Sequence, residues 1–379
     1  MATKTPKIAV IGSGYWGKNL VRNFDQLGSL KRICDKNETT LAQFREQYPD
    51  VETCLAYSDV LADSEIAGVV IAAPAELHFS LAREAILAGK HVYVEKPLVL
   101  DEREGEILIE LAKEQNRVLM VGHLLQYHPI FIKLKELKNS GELGRINYIY
   151  SNRLNLGKIR REENIFWSFA PHDISMILSL AGEKPKSVMA TGGCYLHQKI
   201  ADVTTAHMAF ASGLRTHIFV SWLHPFKEQK LVVVGDQKMA VFDDTQPWED
   251  KLLLYPHKIE WENNMPTPHK AEAERIVVPQ SEPLKEECQH FLDCIAENTQ
   301  PVTDGEEGLA VLSVLIACQK SLDSDGKLIQ MENSDDVETD FFSHVTAEID
   351  AGCEIGEKTK IWHFSHIMSG SKIGDECNI

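Results

Sequence analysis

Short apolar runs alternate with amphipathic stretches over the first 122 residues of the chain. Runs of about four to eight apolar residues are typical of buried strands, whereas apolar residues that recur every three or four positions indicate helices. Strands are predicted at 7–11, 30–34, 66–73, 92–94 and 118–121, and helices near 20–27, 40–47, 77–88 and 101–115. Because strand and helix follow each other in strict turn, residues 1–122 are expected to form an α/β domain with a parallel, doubly wound sheet.

The pattern changes after Gly122. An amphipathic helix is predicted at 130–137, and short β-rich segments with tight turns follow at 146–153, 188–192, 204–211, 215–222, 230–234 and 239–243. Consecutive strands with short connections favour an antiparallel or mixed sheet. With two closing helices at 282–297 and 306–322, residues 123–330 are predicted to form an α+β domain around an open, mostly antiparallel sheet.

A different period marks the last part of the sequence. Isoleucines recur at every sixth position, at 349, 355, 361, 367, 373 and 379. No helix or ordinary strand has this period, whereas hexapeptide repeats are typical of β-helices, in which every sixth side chain points into a narrow core. We therefore expect a linker at 331–345 and a short, incomplete hexapeptide-repeat β-helix fragment at 346–379.

Composition narrows the range of functions. The formal net charge of −17 leaves no basic surplus to attract phosphates, so a nucleic-acid or membrane-surface role is not expected. The eight cysteines form no CxxC pair, which favours reduced core thiols over disulfides or a zinc site, and no metal is predicted. Because we find neither an apolar signal region nor about 18 uninterrupted apolar residues, a cytoplasmic protein is expected.

A glycine-rich turn, GSGYWG at 12–17, stands between the first strand and the first helix. In this context Gly12 permits the tight turn, Gly14 lets a pyrophosphate approach the backbone, and Gly17 lets helix and strand pack closely. The helix N-terminus offers free N–H groups to the phosphates. Asp35, at the end of the second strand, stands where a carboxylate would accept the ribose hydroxyls. These features predict a Rossmann domain that binds NAD, and Lys36 leaves NADP open as the less favoured cofactor.

Lys96 lies where another buried strand ends, between Glu95 and Pro97. A following proline keeps a residue out of the helical region, so the lysine is expected to be extended at this strand end. Ligands bind at the carboxyl edge of parallel sheets, and Pro74 and Gly122 end strands at the same edge. From position alone Lys96 holds a cofactor, acts as an acid or base, or forms a surface ion pair.

These motifs carry a family resemblance. The segments GSGYWGKN and AAPAELHFSLAREAILAGKHVYVEKPL resemble the Gfo/Idh/MocA family of NAD(P)-dependent sugar dehydrogenases over roughly the first 325 residues. The resemblance implies that Lys96 is the catalytic lysine and that Glu95 and Pro97 place it beside the cofactor. It also implies that a further set of residues borders the cofactor, namely Tyr15, Trp16, Ala73, Pro74 and His78. Family members are commonly dimers or tetramers, so a homo-oligomer is expected.

The segment 153–164 holds four basic residues in an otherwise acidic chain: Arg153, Lys158, Arg160 and Arg161. One interpretation is a solvated basic loop, because charged runs usually face water. The other is a clamp for a substrate diphosphate, for which the planar fork of arginine is suited. On the second interpretation Asn155, in the same segment, also belongs to the substrate site.

His172 precedes an apolar helical pattern and is predicted to lie at the start of a helix. Taken alone it is either a structural or a catalytic histidine. The resemblance implies that it matches the histidine of a DxxxH motif that hydrogen-bonds the hydroxyl being oxidised. Ser168 stands where that motif has aspartate, and Asp173 is turned about 100° away on a helix and cannot replace it. We therefore expect Lys96 to accept the proton, with His172, Ser168 and Asp173 at the substrate.

Segment 346–379 resembles the opening of left-handed β-helix acyltransferases that N-acetylate amino-sugar nucleotides. A dehydrogenase fused to such a unit suggests successive steps of one route, and the resemblance to dehydrogenases of such routes implies oxidation at C3 of a UDP-N-acetylhexosamine or its uronic acid. An aminotransferase and an acetyltransferase of surface-polysaccharide biosynthesis would then act as pathway partners. Two alternatives stay open: a free-sugar or inositol dehydrogenase, and a non-catalytic NAD-binding scaffold or sensor.

Overall fold

The computed structural model describes residues 5–157, 159–161, 163–331, 341–344, 346–350 and 352–379. Its first sheet contains six parallel strands, β1 (Lys7–Ile11), β2 (Leu30–Cys34), β3 (Glu52–Cys54), β4 (Ile66–Ile71), β5 (His91–Glu95) and β6 (Leu119–Gly122). Their spatial order is β3-β2-β1-β4-β5-β6, so the order reverses between β1 and β4. The predicted parallel α/β fold is confirmed. The short, largely polar strand β3 was not predicted.

Five helices connect these strands: α1 (Gly17–Gln26), α2 (Glu38–Gln47), α3 (Tyr57–Ala62), α4 (His78–Leu87) and α5 (Glu102–Glu114). Local chemistry fixes where they begin. The side chain of Asp101 accepts hydrogen bonds from the backbone N–H groups of Arg103 and Glu104, as an N-cap does. Apolar side chains on both faces of the sheet are fully buried, so a hydrophobic layer covers each face.

The second domain begins with α6 (Pro129–Asn139), β7 (Ile146–Leu154) and α7 (Ile165–Ala181). Nine strands form one sheet in the order β16-β13-β12-β11-β7-β10-β9-β8-β17. The remaining members are β8 (Pro185–Gly193), β9 (Val203–Phe210), β10 (Arg215–Ser221), β11 (Glu228–Gly235), β12 (Met239–Asp243), β13 (Leu252–Tyr255), β16 (Glu274–Arg275) and β17 (Ile329–Gln330). Strands β7 and β10 are parallel and the other neighbours antiparallel, so the sheet is mixed. A separate hairpin comprises β14 (Lys258–Glu262) and β15 (Met265–His269).

The two late helices differ in what they cover. Helix α9 (Gly305–Leu322) packs with α6 and α7 on the second sheet, and Leu312 also joins the first domain's core. Helix α8 (Pro283–Glu297) instead buries Leu284 and Phe291 in the core of the first domain, beside α1. The expectation that both helices close the second domain therefore fits α9 and not α8. Their similar apolar periodicity did not reveal which sheet each one covers.

The end of the chain forms six two-residue strands: β18 (Phe342–Ser343), β19 (Glu348–Ile349), β20 (Glu354–Ile355), β21 (Lys360–Ile361), β22 (His366–Ile367) and β23 (Lys372–Ile373). They pair in parallel as β18 with β21, β19 with β22 and β20 with β23. Ile349 pairs with Ile367 and Ile355 with Ile373, so the chain returns to the same side after 18 residues. Ile361 and Ile367 are buried in a small separate core. Most of the linker predicted at 331–345 lies outside the described residues.

Over the residues that the structure covers, none of the helices has both the length and the apolar character required to span a bilayer.

Candidate active site

A cavity of about 1420 Å³ opens along the carboxyl edge of the first sheet. One side, here called the cofactor wall, is formed by Gly12, Gly14, Asp35, Pro74 and His78. The opposite side, the helix wall, is formed by Arg160, Asn164, Trp167, His172 and Gln319. Lys96 lines the cavity between the two walls. The cavity therefore brings together the predicted cofactor residues other than Gly17, the predicted catalytic lysine and part of the predicted substrate segment.

The glycine turn fits a dinucleotide. Gly12 has a φ of +86°, and a Cβ there would lie 2.9 Å from the carbonyl oxygen of Ala72. A Cβ on Gly17 would lie 2.0 Å from the carbonyl oxygen of Gly12, so helix α1 packs directly on the turn. Around Gly14, by contrast, no described heavy atom lies within 4 Å of such a Cβ. Two glycines thus close the turn, and the third leaves open space for a phosphate group.

Asp35 is held by the same turn. Its Oδ2 accepts hydrogen bonds from the backbone N–H of Ser13 at 2.7 Å and from the Ser13 hydroxyl at 2.8 Å. Its Oδ1 accepts a bond from the backbone N–H of Asn37 at 2.9 Å. The carboxylate is therefore fixed on the cavity wall, with Lys36 next to it. This arrangement matches the role expected of Asp35 toward ribose hydroxyls, and that role stays a prediction.

Trp16 and Glu95 tie the glycine turn to strand β5. The Trp16 indole N–H donates to Glu95 Oε1 at 2.6 Å, and the Tyr93 hydroxyl donates to the same oxygen at 3.4 Å. Glu95 is buried, and this burial raises the pKa of its carboxyl group. A Cβ on Gly122 would lie 2.9 Å from Glu95 Oε2, so a larger residue at the end of β6 would displace the Glu95 carboxyl group. Glu95 therefore links the glycine turn to the strand end that carries Lys96. Tyr15, next to Trp16, is exposed and also lines the cavity.

His78 joins two segments of the cofactor wall. Its Nδ1 lies 2.7 Å from the carbonyl oxygen of Pro97, and its Nε2 lies 3.0 Å from the carbonyl oxygen of Ala73. Burial lowers the pKa of this histidine, and a neutral imidazole has one N–H to donate. His78 therefore positions the turn after β4 against the turn after Lys96. Ala73 and Pro74 themselves line the cavity.

Lys96 points across the cavity toward the second domain. Its Nζ donates a hydrogen bond to the backbone carbonyl oxygen of Ser168 at 3.0 Å, and the Lys96–Pro97 peptide bond is cis. Burial lowers the pKa of the Lys96 ammonium, although the carboxylates of Glu163 and Glu95 act in the opposite direction. A lysine with a lowered pKa loses its proton more readily and is suited to act as a base.

His172 was predicted to lie at the start of a helix. In the structure it lies inside helix α7. The helix begins at Ile165 because the side chain of Asn164 accepts hydrogen bonds from the N–H groups of Phe166 and Trp167. Pro171 stands within the helix. It has no N–H to donate to the carbonyl of Trp167, the residue before Ser168, whose own carbonyl accepts the bond from Lys96.

The imidazole of His172 lines the cavity. Its Nδ1 is buried and has no hydrogen-bond partner among the described residues. Burial, followed by the positive charge of Lys96, lowers the pKa of His172 well below its ordinary value. A neutral histidine beside Lys96 is able to accept or donate one hydrogen bond to a substrate hydroxyl.

Arg153 and Asp173 form an ion pair. Arg153 Nε lies 2.7 Å from Asp173 Oδ2, and its Nη2 donates to Asp173 Oδ1 at 3.1 Å. The Ser151 hydroxyl donates to Oδ1 at 2.5 Å, and Asp173 is only 1% exposed. Asp173 thus contacts Arg153 rather than completing a motif with His172. The described cavity lining includes neither member of the pair, so their predicted contact with substrate stays a prediction.

Of the other basic residues in the predicted clamp, Arg160 contributes to the cavity. Arg160 lines it, with its Nε 3.1 Å from Glu163 Oε1. Arg161 is exposed, and Lys158 lies outside the described residues. Asn155 is half-buried, and its N–H extends the pairing of β7 with β10 by donating to the Ser221 carbonyl at 3.1 Å. The substrate roles of Arg160, Arg161 and Asn155 are untested predictions.

A polar network behind His172 was not predicted from the sequence. His123, directly after β6, has its Nδ1 2.5 Å from Glu307 Oε2, and Ser175 Oγ donates to Glu307 Oε1 at 2.5 Å. The rings of His123 and His172 are perpendicular, with centroids 6.3 Å apart. The position of His123 at the end of a strand was a usable signal. Its partner Glu307 lies 184 residues further along the chain and had no such signal.

The chain matches two family models. The model for "Oxidoreductase family, NAD-binding Rossmann fold" matches residues 6–123, and the "GFO/IDH/MocA C-terminal domain" matches residues 131–241. UDP-N-acetylglucosamine 3-dehydrogenase of Acidithiobacillus ferrooxidans is 25% identical over 335 residues, which cover 84% of this chain and 97% of that relative. Myo-inositol 2-dehydrogenase of Thermotoga maritima is 23% identical, with 84% and 96% covered.

The fold agrees with these matches. A solved structure of the Acidithiobacillus ferrooxidans UDP-N-acetylglucosamine 3-dehydrogenase superposes with a TM-score of 0.75 at 24% identity, covering 84% of this chain and 98% of that chain. At this identity the superposition establishes the fold. Both halves of the same family are matched, one after the other, on the two domains that enclose the cavity. The chain is therefore an oxidoreductase of the Gfo/Idh/MocA family.

Proposed function

We propose that this protein is an NAD-dependent dehydrogenase that oxidises a secondary alcohol, at C3, of a UDP-N-acetylhexosamine or its uronic acid. The observation that carries the chemistry is Lys96, which lies between the cofactor wall and His172 with a lowered pKa. A base at this point is what removal of a hydroxyl proton requires. The relative of that specificity, covered over 97% of its length, supports the substrate class.

The chain's own residues divide the work. NAD, held by the glycine turn and Asp35, would supply the acceptor for the hydride, with both electrons, that leaves the alcohol carbon. Lys96, in its neutral form, takes the proton of the hydroxyl, and the carbon–oxygen bond becomes a carbonyl. Neutral His172 orients that hydroxyl by a hydrogen bond. The Glu307 carboxylate holds His123 beside the ring of His172. His123 and Glu307 thereby help to position His172, a task for which the motif's aspartate is missing at Ser168.

NAD is the proposed cofactor because Asp35 presents a carboxylate at the expected ribose position. A 2′-phosphate there would face a negative charge, although Lys36 lines the same part of the cavity. For the diphosphate of a nucleotide sugar we propose Arg160, which lines the cavity, and the exposed Arg161 next to it in the chain. Arg153 is a weaker candidate, since its guanidinium is engaged by Asp173.

The end of the chain supports the pathway assignment. Paired two-residue strands that repeat after 18 residues, with buried isoleucines, fit the start of a hexapeptide β-helix. We propose that it derives from an amino-sugar acyltransferase. The keto sugar formed by this cytoplasmic enzyme would then pass to an aminotransferase and an acetyltransferase of surface-polysaccharide biosynthesis.

A screen for NADH formation tests the proposal. The full chain is incubated with NAD and a panel of UDP-sugars, UDP-uronic acids, free sugars and inositols, and the absorbance of reduced nicotinamide is followed. We expect turnover with a UDP-N-acetylhexosamine or its uronic acid, with oxidation at C3 by NMR. Lys96→Ala should abolish turnover, whereas Lys133→Ala, at an exposed ion pair on α6, should not.

Two results would replace the proposal. Turnover with inositol or free sugars alone would favour a free-sugar or inositol dehydrogenase. Two observations support that alternative: Arg153 and Arg160 already form ion pairs with Asp173 and Glu163, and one relative is an inositol 2-dehydrogenase. NAD binding by thermal shift without turnover on any member of the panel would favour the scaffold.

A further inference from the structure

The hairpin of β14 and β15, here called the arm, stands apart from the nine-stranded sheet of the second domain. In the chain it lies between β13 and β16, the two strands at one edge of that sheet. Its turn residues Asn263 and Asn264 have positive φ values of 50° and 63°, as a tight two-residue turn between strands requires. At its base the backbone N–H of Ala271 donates to His257 Nδ1 at 3.1 Å. The arm is therefore a defined structural element.

One face of the arm is apolar. Ile259 pairs with Pro268 and Trp261 pairs with Pro266, and because successive residues of a strand point to opposite faces, these four residues share one face. Ile259 is 64% exposed and Trp261 is 73% exposed. An isolated two-stranded hairpin is only marginally stable in water, and exposed apolar patches mark interaction sites. This face therefore fits a surface that another molecule covers.

The other face of the arm is charged. His269 Nε2 lies 3.6 Å from Glu260 Oε2 and 3.5 Å from Glu262 Oε1, so these groups are paired within the arm. Pro266 and Pro268 have no N–H, which removes two donors from the edge of β15 that faces away from β14. Missing donors disfavour the addition of a further strand at this edge. Contact with a partner is therefore expected through the apolar face.

A second apolar surface lies at the sheet edge from which the arm leaves. In β12 and β13 every second residue enters the core of the second domain, so the residues between them lie on the opposite face of the sheet. Met239 pairs there with Tyr255 and Val241 with Leu253, and all four are half-buried. These four residues are here called the edge patch. The rings of Tyr255 and His257 have centroids 5.3 Å apart, so the edge patch adjoins the base of the arm.

We propose that two copies of this chain associate about a two-fold axis, and that each lays the apolar face of its arm on the edge patch of the other. Such an exchange is self-complementary, as a two-fold interface must be, because every copy carries both surfaces. Neither surface carries a charged side chain. Contact between them therefore brings no like charges together, although each chain has a formal net charge of −17.

The area favours a second copy over an unrelated protein. The apolar face of the arm offers about 400 Å², of which Trp261 supplies about half. In the exchange each copy buries its own arm and the surface that receives the partner's arm, about 800 Å² in all, which is the usual value for a specific interface. A single arm on an unrelated protein would bury about half of that on each side, as in weak encounters.

Sedimentation of the full chain over a hundredfold range of concentration tests the exchange. The wild type is expected to sediment as a dimer. Trp261→Ser should weaken association about thirtyfold or more, the loss typical of a central tryptophan anchor. Leu253→Gln, in the edge patch, should weaken it about tenfold. Trp362→Ser is the matched control, because it removes another exposed tryptophan, in the terminal segment, and should leave association unchanged. Circular dichroism verifies that each variant is folded.

Mixing the two variants tests whether the arm meets the edge patch. A dimer of Trp261→Ser with Leu253→Gln regains one intact contact, between the arm of the second and the patch of the first. The mixture should therefore associate more tightly than either variant alone. A monomeric wild type would overturn the proposal, as would a dimer that Trp261→Ser weakens no more than Trp362→Ser does. A mixture that associates no better than its components would show that the arm and the edge patch do not touch.

Discussion

The two walls of the cavity are held together by different kinds of interaction. On the cofactor wall, contacts are local or follow from adjacent strands: Gly17 packs on Gly12, and Ser13 holds Asp35. On the helix wall they join distant parts of the chain, such as Asn164 with Gln319, which are 155 residues apart. The cofactor wall is thus built from segments that directly follow neighbouring parallel strands, whereas the helix wall depends on how the second domain and α9 assemble. Changes on the two walls should have different signatures.

The largest effect is expected where the walls meet. Lys96→Ala should lower kcat by about 10² to 10⁴-fold, because it removes the proposed base, and should leave thermal stability nearly unchanged. Turnover on the substrate found in the screen, together with a melting curve, measures both. A kcat within a few-fold of wild type would exclude Lys96 as the base.

Gly17 is the sharpest test of the cofactor wall. In Gly17→Ala the new Cβ would meet the Gly12 carbonyl oxygen, so we expect a loss of about 1–3 kcal/mol in unfolding free energy and much weaker NADH binding. Gly14→Ala has space for its Cβ and should fold normally, while still weakening NADH binding. Fluorescence titration with NADH and thermal unfolding separate the two. Equal melting temperatures for both variants would contradict this account of the turn.

The buried ion pair gives the corresponding test for the helix wall. Arg153→Met leaves Asp173 buried without its cation and should cost about 3–5 kcal/mol of unfolding free energy, measured by urea denaturation. Arg160→Met breaks a half-exposed pair and should cost about 1 kcal/mol or less. If both substitutions lower the unfolding free energy by the same amount, burial does not explain the contribution of these ion pairs to stability.

Arg160 should matter for substrate instead of stability. Arg160→Ala is expected to raise KM for a UDP-sugar about tenfold with little change in kcat, since a clamp for the diphosphate acts on binding. The comparison substrate is the same sugar without the nucleotide. An identical KM change for both substrates would separate Arg160 from the diphosphate.

The smallest effect concerns pH. Because Lys96 acts in its neutral form, kcat should rise with pH through a pKa that burial holds below the usual lysine value. The Glu163 carboxylate raises that pKa, so Glu163→Gln should move the rising limb to lower pH. A pH–rate profile of each protein measures the shift. Movement to higher pH would show that Glu163 acts in another way.

The difference between the walls also explains how far the sequence could predict the site. The glycine turn, Asp35 and Lys96 each follow a strand directly, and parallel strands end at one edge, so their proximity was predictable. The pairing of Arg153 with Asp173 was not, because it depends on how α7 lies against β7. The apolar pattern after His172 suggested a helix start there, and the N-cap at Asn164 shows that the helix begins earlier. The destination of α8 was hidden because apolar periodicity does not name the surface that is covered.

The bond between Lys96 and the carbonyl of Ser168 bears on how this site tolerates sequence change. The acceptor belongs to the main chain, so no substitution at 168 removes it as long as α7 keeps its path. The side chain at position 168 can therefore be substituted without loss of the hydrogen bond that holds Lys96. The main-chain group that holds Lys96 and the side chain at position 168 can thus change independently during evolution. A serine at this position is compatible with an active enzyme.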